Sequence, residues 1–273
     1  MLSQNPFATA APLVPGGFLQ WFLVVMFLAV VLGTLFDMAH KGSARYFFAN
    51  MSRAKAKRKR ELGGGELVSI AVQTALVDVA TSGEFCNPRR RVAHLLAMYG
   101  FVIYVVTTCL MVFAYDTGAT PAIVPQLWWI GALMVLLGGY WFWFFIRVDV
   151  AAEGNTPLRF VKADLFIVSM LASITLGVLW AGTGGGAGWL FWLYLLATAV
   201  LFVGVPWSKF AHMFFKPAAA FEKRVTRADG TAENLPTQTR DDPEQQKRHS
   251  MELLRDAPMD MGLGIKREAP RHY

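Results

Sequence analysis

Residues 87–114 read NPRRRVAHLLAMYGFVIYVVTTCLMVFA: three arginines, a histidine, and then twenty residues with no charge at all. An apolar run of this length matches the roughly 17–25 residues that a helix needs to cross a hydrocarbon core. Four more apolar runs share its character. Taken together, the spans cover about 17–38, 92–114, 127–146, 165–181 and 189–207. The expected fold is therefore all-α, an integral membrane bundle of five transmembrane helices.

Composition agrees. The 273 residues are 55% hydrophobic and only 16% charged, against roughly 25% charged in a soluble domain. The formal net charge of +7 does not point to nucleic acid, because the basic residues are segregated along the chain instead of covering a domain. Between the first two spans stand eleven of them: Lys41, Arg45, Arg53, Lys55, Lys57, Arg58, Lys59, Arg60, Arg89, Arg90 and Arg91. The loop after the third span adds Arg147, Arg159 and Lys162, whereas residues 115–126 and 182–188 contain neither Lys nor Arg. The positive-inside rule then sets the N-terminus outside and the C-terminus in the cytoplasm of a bacterial inner membrane. Residues 1–16 also lack Lys and Arg, so the first run reads as an uncleaved anchor and not as a signal peptide. Trp128, Trp129 and Trp189 fall near the expected outer boundary and Trp207 near the inner one, the preferred level for an amphipathic ring.

Outside the spans, Glu66–Thr81 reads as a short amphipathic or partly buried helix. The run RAKAKRKRE before it reads as a topological determinant drawn to anionic lipid, with partner docking as the alternative. The membrane domain is expected to cover 1–216. Residues 217–273, rich in Arg, Glu, Asp, Gln and Pro, read as a polar, disordered cytoplasmic tail. Only Cys86 and Cys109 are present, too few for an iron–sulfur cluster.

Of the five histidines, His40, His94 and His212 lie at the cytoplasmic edge of the expected topology. Two imidazoles on different spans suffice for a non-covalent b haem. His94 and His212 meet that requirement, with Arg90, Arg91 and Lys209 nearby to neutralise propionates. A histidine one turn inside a boundary also reads as snorkelling or as capping a helix end.

The motif NPRRRVAHLLAMYGFVIYVVTT, together with VPWSKFAHMFFKP at the close of the last span, resembles the membrane cytochrome b family. That family includes the gamma subunit of respiratory nitrate reductase and the membrane subunit of heterodisulfide-reductase-type complexes. Within this group the bare five-span body, basic first loop and charged tail most resemble the membrane anchors associated with adenylylsulfate reductase in sulfur-oxidising bacteria. Two-haem members carry further histidines ten residues after the first and eighteen before the last, positions held here by Tyr104 and Tyr194. The resemblance thus implies at most one haem, held by His94 and His212 near the cytoplasmic face. The two tyrosines either pack or bind a quinone head, and the frequency of tyrosine in interfaces favours packing.

Three functions follow as expectations. The first is an anchoring and electron-transfer subunit between soluble cytoplasmic flavin and iron–sulfur subunits and quinone, itself not catalytic alone. The second is a haem-free anchor of the same enzyme. A transporter is the third, disfavoured because the span interiors lack the charged residues an ion path needs.

Overall fold

The computed structural model describes residues 2–83, 85, 87–116, 119–147, 154–208, 213, 215–232 and 235. They are helical, with no strand among them. Five helical segments are long and apolar enough to cross a membrane: Phe18–Lys41, Pro88–Ala114, Ile123–Ile146, Lys162–Gly182 and Trp189–Trp207. The chain is therefore a multi-pass membrane protein by length and composition. It divides into two compact units, Met1–Arg45 with Pro88–Phe215, and Tyr46–Asn87 with Lys216–Tyr273.

The first unit holds α1 (Pro6–Ala10), α2 (Phe18–Lys41), α5 (Pro88–Cys109), α6 (Ile123–Trp141), α7 (Leu165–Gly182) and α8 (Trp189–Gly204). Two of these continue in wider π-type turns, α5 through Leu110–Ala114 and α6 through Phe142–Ile146. The principal packing pairs are α5 with α6, α6 with α7, α7 with α8 and α8 with α2. Lipid offers no hydrophobic drive for helices to associate, so close backbone approach and buried hydrogen bonds must hold them together. The α5–α6 contact supplies the first. A Cβ on Gly131 would lie 2.8 Å from the Gly100 carbonyl oxygen, so the two helices meet backbone to backbone. By contrast α2 is peripheral, exposing Trp21, Val25, Leu28, Val31, Leu32, Leu35 and Phe36. Such a surface suits lipid.

The second unit contains most of α3 (Ser43–Ala56), together with α4 (Gly64–Gln73), which runs on through π-type turns at Thr74–Ala80, and α9 (Lys216–Ala228). The Glu66–Thr81 expectation thus corresponds to a helix. The opening of the expected tail is also helical, because α9 finds partners that no local window of sequence contains. Arg224 donates from Nε and Nη2 to the two carboxylate oxygens of Asp78, at 2.7 and 3.0 Å. The carbonyls at the C-terminus of α9 are satisfied by the basic run: Arg60 Nε donates to the Ala228 oxygen at 2.7 Å, and the Lys59 and Arg60 amides donate to that of Asp229. Cationic groups at a helix C-terminus also complement its dipole. Burial, reinforced by the charge of Asp229, pushes the Glu222 carboxyl above its ordinary pKa.

Candidate functional site

Tyr104 on α5 and Tyr194 on α8 project into the same buried space, 5% and 3% exposed. Their hydroxyls meet at 3.3 Å. Each ring is backed by a tryptophan: Tyr104 stacks on Trp128 of α6 with centroids 4.9 Å apart, and Tyr194 stacks on Trp180 of α7 at 5.3 Å. Between these two stacks sits Phe7, edge-on to Trp180 at 5.1 Å and to Trp128 at 6.3 Å. Offset and edge-to-face pairs of this kind contribute about 0.5–1.5 kcal/mol each beyond their area.

The polar atoms of this half are also engaged. Trp128 Nε1 donates to Thr108 Oγ1 at 3.0 Å, and that hydroxyl donates to the Tyr104 carbonyl at 2.7 Å. On the other side Thr198 Oγ1 donates to the Tyr194 carbonyl and meets Ser173 Oγ at 2.8 Å. A Cβ added to Gly177 would stand 2.7 Å from Tyr104 Oη and 3.0 Å from the Tyr194 ring. Hence the volume that a second cofactor would need at the level of Tyr104 and Tyr194 is filled by side chains, and the tyrosines pack. Trp128 belongs to this core at 0% exposure, with its indole N–H taken by Thr108. Trp189 and Trp207 do lie exposed, at 71% and 56%.

The same end of the bundle is closed by the N-terminal segment. Asn5 caps α1 by accepting from the Phe7 and Ala8 amides, and its Nδ2 donates to the carbonyls of Met111 and Tyr115 and to Thr120 Oγ1. One buried amide therefore fixes the segment to the end of α5. The Asn5-Pro6 pair carries the signal for a capped helix start, but nothing local says that Phe7 inserts between two tryptophans.

At the opposite end the picture differs. His94 is exposed on α5. It lies seven residues before Phe101, whose ring faces Phe202 of α8 at 6.5 Å, so His94 shares the stripe of α5 turned toward the last span. Arg90 and Arg91 are half-buried, and Arg90 Nη2 donates to the Ile146 carbonyl at 3.4 Å. His212 and Lys209 lie outside the described residues, so His94, Arg90 and Arg91 are the members of the expected haem set that have a described position. His40 is exposed and stacks on Phe36. Near it Asp37 is buried within α2 and paired with Lys41 at 2.7 Å.

Arg147, expected only as a topological charge, is a buried staple. Its side chain is 5% exposed and lies over the Trp143 ring at 3.9 Å. Nη1 donates to Asp164 at 2.8 Å, while Nη2 reaches the Pro157 and Arg159 carbonyls, drawing 157–164 back onto the end of α6.

Comparison with family models, with curated proteins and with solved structures finds no match to this chain. The class that the fold defines is a five-span, all-helical membrane protein, tightly packed at one end and basic at the other.

Proposed function

We propose that the chain is the membrane subunit of an oxidoreductase complex in a bacterial inner membrane. It anchors soluble cytoplasmic flavin and iron–sulfur subunits and links them to the quinone pool, with at most one b haem. Adenylylsulfate reductase is the soluble partner proposed, on the sequence resemblance alone. The reading is supported by the contrast between the two ends of the bundle. The Tyr104–Tyr194 end is filled and closed by α1, leaving the basic end for exchange with a partner. Lys and Arg concentrated at that end put it on the cytoplasmic side under the positive-inside rule, and a basic surface suits docking of an acidic redox protein.

A haem bound at the basic end would supply a one-electron relay between the soluble subunits and quinone. His94 and His212 would hold its iron, and Arg90, Arg91 and Lys209 its propionates. The exposed position of His94 on the stripe facing α8 is compatible with this role. A haem-free anchor of the same enzyme is the second reading, favoured by the packed tyrosine pair, which leaves no place for a relay deeper in the bundle.

The two readings part in one experiment. The protein, purified with its soluble partner, is examined by a reduced-minus-oxidised optical spectrum beside the His94→Ala and His212→Ala variants. The first reading expects a low-spin b-type spectrum that either substitution abolishes while the partner stays bound. A complex free of haem yet active with quinone establishes the pure anchor, and a chain that never retains a soluble redox enzyme overturns both.

A further inference from the structure

In the second unit α4 and its continuation have two apolar faces, and the described residues cover only one of them. Ile70 and Thr74 are buried on the side of α9, whose Arg224 holds Asp78 of the same segment. The opposite side carries Val68, Val72, Leu76 and Val79, exposed by 64, 51, 59 and 41%. Their spacing of four, four and three residues places them on one stripe. Ala71 and Ala75 widen it, and both are exposed. Along it no charged side chain intervenes. A helix resting in water turns its polar face outward. Here the more apolar face is outward, while the segment's two acidic residues, Glu66 and Asp78, are bound to Arg60 and Arg224.

Charge identifies what covers this stripe. Residues 46–87 and 216–229 contain ten Lys and Arg against six Asp and Glu. Arg53, Lys55, Lys57, Arg58 and Lys59, all exposed, precede the stripe in sequence, and Lys216, Lys223 and Arg227 are exposed on α9. Tyr46 and Phe48, at the start of α3, are exposed by 70 and 59%. Apolar side chains in a stripe, with exposed aromatic residues and a surplus of cations in the same unit, make up the chemistry of a surface that beds into an anionic lipid interface. The chain also keeps lipid within reach, since eight residues separate Val79 from Pro88, where the second span starts.

We propose that the Val68–Val79 stripe is a lipid-docking surface, inserted among the headgroups of an anionic leaflet with the basic residues of its unit on the phosphates. The inference does not depend on a redox role. It is tested on the full chain, with Cys86→Ser and Cys109→Ala, in nanodiscs of phosphatidylcholine alone or mixed with phosphatidylglycerol. A bimane label at Val72→Cys is read against brominated acyl chains, with Gln73→Cys as the flanking control. Quenching at Val72 is expected to exceed that at Gln73 by about twofold in anionic discs, and to fall in neutral discs or when Lys57, Arg58 and Lys59 are changed to Gln. Amide exchange over 67–79 in the unlabelled protein, slower in anionic than in neutral discs, gives the same answer without substitution. Equal quenching at both positions, or no dependence on lipid charge in either measurement, would overturn the proposal. So would protection of the stripe only after the soluble enzyme is added, which would make it a protein-docking surface instead.

Discussion

At one end of the bundle Tyr104 and Tyr194 touch through their hydroxyls, with Trp128, Trp180 and Phe7 packed around them. At the other, His94, His40 and Trp207 are exposed. The same helices run through both ends, and the first end gains α1 with Phe7, so the difference comes from side chains and from that N-terminal segment. Where aromatic rings stack and each hydroxyl, indole and amide finds a partner, nothing of cofactor size can enter. At the other end the described side chains are partly solvated. In membrane helices, where water does not press the segments together, ring stacking and buried hydrogen bonds hold the packed end.

The contrast is most easily broken by removing a ring. Tyr194→Ala leaves a cavity beside Trp180 and Phe7 and should lower unfolding stability by about 3 kcal/mol, whereas His40→Ala, exposed and outside the proposed haem set, should change it by less than about 0.5 kcal/mol. Denaturant titration in mixed micelles compares them directly. Comparable losses at both sites would mean that the ends do not differ in packing. Next in size is Gly131→Ala, which forces α5 and α6 apart because its Cβ would stand 2.8 Å from both the Gly100 oxygen and the Tyr104 nitrogen; a loss of about 1–3 kcal/mol is expected in the same titration.

A smaller effect sharpens the tyrosine contact. Removing one hydroxyl, in Tyr104→Phe or Tyr194→Phe, should cost about 0.5–1 kcal/mol, and the double variant should lose less than the sum of the two. Strict additivity in that cycle would show that the hydroxyls do not interact. Smallest is a pH effect in the other unit. Glu222 binds its proton more tightly folded than unfolded. Stability therefore falls as pH rises from the ordinary glutamate value, about 4.3, through the raised one. In Glu222→Gln, amide exchange over 216–228 should lose that pH dependence.

Much of this was legible in sequence. Apolar length alone locates the five spans, whereas Tyr104 and Tyr194 stand out only through the resemblance, at the places where two-haem members carry histidines. Span edges moved by a few residues, because Pro88 starts α5 at its first turn and Lys41 ends α2 beyond the apolar run. The burial of Trp128 is not legible, since composition cannot tell an exposed indole from one whose N–H is taken by Thr108. The helix at 216–228 reads as tail in any local window, its order resting on Asp78 and on the carbonyl contacts of Arg60, both more than a hundred residues away. Phe7 is invisible for the same reason. A residue that fills a gap between two distant tryptophans leaves no periodic trace.

The central claim is that the tyrosine end holds no cofactor. It is tested most directly by the ratio of non-covalent haem to protein in the full chain purified from haem-sufficient cells, measured as the pyridine haemochrome. A ratio of about one or below is expected, since the resemblance implies at most one haem, held by His94 and His212. A ratio approaching two would require a second haem in the space that Tyr104, Tyr194, Trp128, Trp180 and Phe7 occupy, and would contradict the account.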